Sequence, residues 1–349
     1  MNFPFISIVV AVYNAGPYLT RCLDSVSNQT FHDFEAILVN DASTDNSMQI
    51  METYTRKDSR FKIIVHEQNC GMVKSRKTGI SAANGQYVTF LDADDEFLPD
   101  FLQNAIPYMQ KSRYDIIHFG ISVEGKHIKA SVHAWFENYT LPHETELNGD
   151  AIFKNYFLEA KIPWSLVGNF YRSDFIKKYN RFSISRCTEE DFFRMTILLY
   201  YAESFLYVRK RGYVYHYGCG ISGKEHYTID QFSHFAGAIE VFRFLKDFFL
   251  QENLPAVYMR RLNKREQEVC LYTFQMYEKL RPNDREKGLN ILLKTWGTAL
   301  LSQQILEFYY SATHSMSWKI TAPLRVLYDF MKYSVPEFIK RLLGQRRKR

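Results

Sequence analysis

The sequence predicts an α/β fold with a mainly parallel, doubly covered central sheet, followed by a helical C-terminal region. Continuous apolar runs alternate with helical patterns of about a dozen residues, the signature of βαβ units. After about Thr228 no strand-like run remains, and the spacing is helical throughout. The strand-like runs are Ile6 to Val12, Phe34 to Val39, Phe61 to Val65, Gln86 to Leu91 and Asp115 to Phe119. Helices are predicted between them at about Pro17 to Ser27, Asp45 to Lys57, Gly71 to Ala83 and Pro99 to Lys111. Residues 121–136 read as a hairpin around Gly125, and helical and irregular segments follow to about Tyr179. A helix opens at Thr188, and a mixed stretch runs from Phe205 to Ser222. The C-terminal helices fall near Ile229–Gln251, Pro255–Leu280, Asp284–Tyr310 and Trp318–Leu343. A boundary is placed at Tyr227, so residues 1–227 form one domain (halves 1–119 and 120–227) and residues 228–349 a second.

The 349 residues, 46% hydrophobic and 23% charged, lie in the globular range. The net charge of +6 is concentrated in a basic end, Gln345-Arg346-Arg347-Lys348-Arg349. Five scattered cysteines, Cys22, Cys70, Cys187, Cys219 and Cys270, include no Cys-x-x-Cys pair, which suggests neither zinc nor a disulfide framework and fits a reducing cytoplasm. The apolar opening reads as a buried strand rather than a signal peptide. No run reaches the roughly 20 apolar residues that span a bilayer. The chain also lacks Gly-x-Gly-x-x-Gly after its first strand and any Gly-Lys-Ser/Thr loop, which argues against a dinucleotide dehydrogenase and a Walker-type NTPase.

In sheets of this kind ligands bind beyond the carboxyl ends of the strands. Tyr13 and Asn14 follow the first strand, and Asp41 follows the second. The most informative cluster is Asp92-Ala93-Asp94-Asp95 after the fourth. Carboxylates so close raise one another's pKa, and a divalent cation such as Mg²⁺ or Mn²⁺ relieves them, sharing its shell with substrate phosphates. The alternative is a solvated acidic turn that caps the following helix. Asp41 can accept a hydrogen bond from the imide N–H of uracil, or it and Ser43 can shape the turn, with Ser43 or Thr44 as N-cap. Arg76, taken alone, reads as surface-solvated; if its helix starts at the site, the guanidinium reaches diphosphate or base. Thr188-Glu189-Glu190-Asp191 is a good helix start and also offers Asp191 as a general base, with Glu190 beside it. His216 reads as a satisfied residue at the sheet edge or as a ligand of metal or diphosphate.

Taken in order, Ile8 to Asn14, Val39-Asn40-Asp41-Ala42-Ser43-Thr44-Asp45, Asn69-x-Gly71 leading to Ser75-Arg76-Lys77-x-Gly79, Gly85 to Asp95, and Glu190-Asp191 resemble the inverting glycosyltransferases of family two, with the GT-A (Rossmann-like) fold. The resemblance covers about the first 222 residues. It implies that Asp41 contacts uracil, Arg76 assists nucleotide binding, Asp92 approaches the ribose, and Asp94 holds a metal (Mn²⁺ or Mg²⁺) on the diphosphate. Glu190-Asp191 falls at the family's catalytic pair, Asp191 being the base. The chain departs from the family pattern at Ala11, Asn40 and Lys77.

The function expected is therefore transfer of a sugar from a UDP-sugar to a hydroxyl of a bacterial surface glycan, free or lipid-linked. A teichoic-acid or protein glycosyltransferase, or a nucleotide-sugar-binding scaffold without turnover, are the rivals. The basic amphipathic segment from Ile320 to Leu343 and the end beyond it suit peripheral contact with an anionic membrane at the inner face of the cell membrane. Nucleic-acid binding is not expected, because no recognition fold accompanies that terminal charge.

Overall fold

The computed structural model describes residues 3–111, 114–126, 128, 141, 144–182, 184, 188–219 and 228–297. The chain separates into two units, one of residues 1–186 with 190–222, the other of residues 187–189 with 223–349. No described helix is long and apolar enough to cross a membrane.

The first unit is built on one sheet with strands β1 (Ile6–Val12), β2 (Phe34–Asn40), β3 (Phe61–Val65), β4 (Tyr87–Asp92), β5 (Glu96–Phe97), β6 (Ile116–Glu124), β7 (Thr145–Asn148), β8 (Asn169–Arg172) and β9 (Ser204–His216). Their order is β3-β2-β1-β4-β8-β6-β9-β5, with β7 also on β9. The helices are α1 (Gly16–Ser27), α2 (Ser47–Lys57), α3 (Met72–Ala82), α4 (Phe101–Lys111), α5 (Asp150–Phe153), α6 (Ser173–Tyr179) and α7 (Glu190–Tyr201). Strands β1 to β4 are parallel, and β1 and β2 are buried along almost their whole length. That burial is why they read as unbroken apolar runs.

The chain winds outward from β1 to β3 and returns to place β4 on the other side of β1, with Ala11 opposite Asp92. The order reverses between β1 and β4, so the crevice at their carboxyl ends is where such a sheet receives its ligand. A Cβ on Gly79 would lie 2.3 Å from Val9 Cγ1, so the glycine is what seats α3 closely on β1. Gly79→Ala is expected to destabilise by about 1–3 kcal/mol through overpacking, measured by urea unfolding; Val9→Ala in the same chain should recover part of the loss.

The main surprise is β8, which runs antiparallel to β4 and β6 in mid-sheet. Strands β5 and β7, both antiparallel to β9, are likewise not predicted by the sequence. At two to four residues these strands are too short for periodicity to register. The stretch expected to be mixed contains a single long strand, β9, paired in parallel with β6. Strand β6 outruns its expected end at Phe119, while the rest of the hairpin expected at 121–136 lies largely outside the described residues.

At the start of β8, Asn169 Nδ2 donates to the carbonyls of Ser165, Leu166 and Val167 at 2.8, 3.2 and 3.1 Å. Its Oδ1 therefore accepts from His118 Nδ1 at 2.9 Å. His118 is buried and stacked on Tyr207, and burial pushes its pKa down to about 4. The unfolded chain takes up a proton near pH 6.5 that the native chain refuses, so stability is complete above that pH and is lost as pH falls toward 4. A loss of about 3 kcal/mol across this window is expected, and His118→Gln should flatten it in pH-dependent thermal melts.

The second unit contains α8 (Ile229–Gly237), α9 (Ile239–Gln251), α10 (Ala256–Glu278) and α11 (Arg285–Trp296). Thr228 and Gln231 form a capping box at the start of α8. Phe232, Phe274, Tyr277, Leu292 and Trp296 are among its core residues. The single helix expected over Ile229–Gln251 is interrupted at Ala238, where Trp296 Nε1 takes the Ala236 carbonyl at 2.9 Å. The segments expected beyond 297, including the basic amphipathic end, lie outside the described residues.

Candidate active site

The β1–α1 turn leaves three backbone N–H groups at the crevice, the usual cradle for a phosphate. Here they are already used. Asn14 N donates to Ser43 Oγ at 3.1 Å, Ala15 N to Ser47 Oγ at 3.0 Å and Gly16 N to Asp45 Oδ2 at 2.9 Å. Asn14 Oδ1 accepts from Thr44 N at 2.8 Å. The polar 43–47 segment, expected to cap its own helix through Ser43 or Thr44, instead closes the neighbouring helix. Neither Ser43 nor Thr44 caps α2; its first N–H, that of Ser47, donates to Asp45 Oδ1 at 3.0 Å. Tyr13 is exposed beside this turn, and Asn14 and Ala42 both adopt positive φ, 49° and 55°. With the N-terminus of α1 occupied, a diphosphate at this crevice needs another source of positive charge.

Asp41 is buried, and its carboxylate is engaged on both oxygens. Oδ1 accepts from Cys70 N and faces His66 Nδ1, both at 2.8 Å, and Oδ2 accepts from Gly71 N at 2.7 Å. Asp41 therefore fixes the 66–71 loop that leads into α3. One turn further along α3 stands Arg76, which is 2% exposed rather than surface-solvated. Its Nη2 donates to Asp92 Oδ1 and its Nη1 to Asp191 Oδ1, both at 2.7 Å. Glu190 Oε2 lies 3.4 Å from Nη1. The side chains of Asp92 and Asp191 are 31% and 34% exposed, so the guanidinium backs two carboxylates that still reach solvent. Glu190 is buried, which leaves Asp191 as the member of the pair that a substrate can touch.

Asp94 follows at the turn after β4, its backbone carbonyl bonded by Arg21. Burial first, and Asp92 second, push its carboxyl up to about 6. Asp95 is fully buried and raised further, to about 8, by burial with Asp92 and Asp94. It accepts from Tyr213 Oη at 2.6 Å and from His216 N at 2.8 Å, pinning the acidic turn to β9. The sequence shows Asp95 as the third acid of the cluster, but not this positioning role. His216 is within electrostatic reach of Asp94, while its Nε2 meets Glu96 Oε1 at 2.8 Å. Glu96, Glu124 and His216 place ligand atoms within 4.8 Å of one another. Raised carboxyls at the turn after β4, with carboxylate and imidazole donors of β5, β6 and β9 close by, make a donor set that fits Mg²⁺ or Mn²⁺.

A doubly covered α/β sheet with acids gathered at its switch point fits a class, the glycosyltransferases. The glycosyl transferase family 2 model matches residues 7–182, and the chain belongs to that family. EpsH of Bacillus subtilis (strain 168) is 43% identical over 106 residues, 30% of either chain. Glycosyltransferase GlyA of Streptococcus pneumoniae is 28% identical over 215 residues, 60% of this chain and 30% of its own. The chain thus spans about a third of the length of these relatives. Among solved structures, residues 1–349 of Staphylococcus aureus TarS in complex with UDP-GlcNAc superpose with a TM-score of 0.58 at 21% identity, covering 94% of this chain and 92% of that one. The mannosyltransferase PcManGT of Pyrobaculum calidifontis, bound to GDP-Man and Mn²⁺, gives 0.51 at 14% identity, covering 96% and 82%. These likenesses agree with the fold, an α/β GT-A sheet with a helical C-terminal region.

Proposed function

We propose that the enzyme moves a sugar, with inversion, from a UDP-sugar to a hydroxyl of a bacterial surface glycan. The observation that carries this is the meeting of Asp92 and Asp191, 99 positions apart in sequence, on the two arms of one buried guanidinium. Strand β4 thereby brings its acidic turn to the same place as the acid that opens α7. Asp41 and the exposed Tyr13 border the nucleotide end, with Asn14 between them and α1, and Asp92 faces the ribose. Asp94 and His216 would hold Mn²⁺ or Mg²⁺. When bound, such an ion offsets the negative charge that develops on a leaving diphosphate.

Asp191 takes the proton of the acceptor hydroxyl. The hydroxyl oxygen then bonds to the anomeric carbon on the face opposite the diphosphate. The bond from that carbon to the diphosphate oxygen breaks, its electron pair leaving with UDP, so the configuration inverts. The complexes of TarS with UDP-GlcNAc and of PcManGT with GDP-Man and Mn²⁺ support a nucleotide-sugar donor by analogy of fold. A scaffold without turnover need not keep both Asp94 and Asp191, and this chain keeps both. A panel of UDP-sugars and GDP-mannose, read by thermal stabilisation and UDP or GDP release with added Mn²⁺, tests the proposal. Stabilisation and release by a UDP-sugar are expected; a response confined to GDP-mannose would overturn the donor assignment.

A further inference from the structure

We propose that Arg76 is the positioning residue of the general base: with Glu190 and Arg194 behind it, its guanidinium fixes the Asp191 carboxylate beside Asp92. The inference rests on the reading of Asp191 as the base, and it gives Arg76 a task other than contact with the nucleotide. Both terminal nitrogens of Arg76 are committed, Nη2 to Asp92 and Nη1 to Asp191, each at 2.7 Å. A planar fork holds two acceptors at a set separation, which the single ammonium of a lysine does not.

The support behind the fork is a second layer of charge. Glu190 is buried with Oε2 directed at Arg76 Nη1, while its Oε1 lies 3.6 Å from Arg194 Nε and has no hydrogen-bond partner among the described residues. Arg194 is buried as well, with Nη1 3.5 Å from Asn180 Oδ1. Two cations thus face Asp92, Glu190 and Asp191 in alternation, and Glu190 sits between the guanidinium groups. Burying Arg76 without such neighbours would cost several kcal/mol, so the arrangement holds Arg76 as firmly as Arg76 holds Asp191.

The other oxygen of the base is held too. Leu166 N donates to Asp191 Oδ2 at 3.3 Å, and the Leu166 carbonyl is bound by Tyr171 Oη at 2.9 Å and Asn169 Nδ2 at 3.2 Å. Held on both oxygens, the carboxylate keeps one orientation. Its remaining lone pairs stay free for the incoming hydroxyl. Since a misplacement of about 1 Å can cost on the order of 100-fold in rate, the fork is where that accuracy comes from.

The test is a double-mutant cycle in the full chain, using the most active sugar nucleotide of the panel for turnover and UDP with Mn²⁺ for calorimetry. Arg76→Lys should lower kcat by on the order of 100-fold, with donor KM and UDP affinity unchanged within about threefold. In an Asp191→Asn background the same change should cost less than about twofold, because the group it positions is gone. Glu190→Gln, a neutral isostere that spares the fork, should show the same pattern in weaker form and serves if Arg76→Lys does not fold. Parallel loss of UDP affinity and kcat, or full additivity with Asp191→Asn, would overturn the proposal and leave Arg76 as a nucleotide ligand or a structural ion pair. An Asp191→Asn enzyme with undiminished turnover would instead remove the base itself, and the inference with it.

Discussion

Asp191→Asn should abolish most turnover while leaving UDP binding within about threefold of the parent. The carboxylate is the exposed member of the Glu190-Asp191 pair, and the amide is nearly the same size but cannot accept the acceptor's proton. A positioned base contributes on the order of 10²–10⁴ in rate, so a loss in that range is expected from initial rates of UDP release. The amide oxygen still accepts from Arg76 Nη1, so the fold and the nucleotide end should remain. Turnover within about twofold of the parent would withdraw Asp191 from the chemistry.

The second large effect is expected at Asp94. Asp94→Ala removes a carboxylate raised to about 6 by burial and by Asp92, the donor through which a cation at this turn would be held. Calorimetry of UDP binding with and without Mn²⁺ should show a clear gain in affinity for the parent and none for the variant. Loss of electrostatic stabilisation worth several kcal/mol corresponds to turnover falling by about three orders of magnitude. The pH dependence has a definite sign. A cation must displace a proton from Asp94, so Mn²⁺-dependent UDP affinity should be complete above about pH 7 and fall as pH drops through 6. An Asp94→Ala enzyme that retains the Mn²⁺ gain would move the cation to other donors, such as the described group Glu96, Glu124 and His216.

The first 111 residues were the more legible part of the sequence. Strand β1 is buried along almost its whole length, so composition alone marks Ile6–Val12 to the residue, and the apolar run Phe61–Val65 marks the half-exposed edge strand β3 just as closely. The acids that end β2 and β4 were readable because the ends of parallel strands are where a sheet of this class does its chemistry. The half beyond Lys111 was less so. Strand β8 joins the sheet through only a few residues and depends on β4 and β6 for its partners, a tertiary effect that local pattern cannot carry. Arg76, which reads as solvated when taken alone, is buried for the same reason. Nothing on its own helix announces burial, because its partners Asp92 and Asp191 come from other elements. Asp41 offered a uracil contact and a turn-shaping role as alternatives. Its bonds to the amides of Cys70 and Gly71 add a third task, which no spacing within Val39-Asn40-Asp41 reveals.

Asp95 makes two distant stretches of chain mechanically one. Because Tyr213 and the amide of His216 both grip its carboxylate, any change that slides the last long strand also drags the turn bearing Asp94. Substitution in β9 is therefore never free of consequences for the acidic turn after β4. Variation that retunes one without the other is expected to accumulate away from the register that joins Glu96 to Val214.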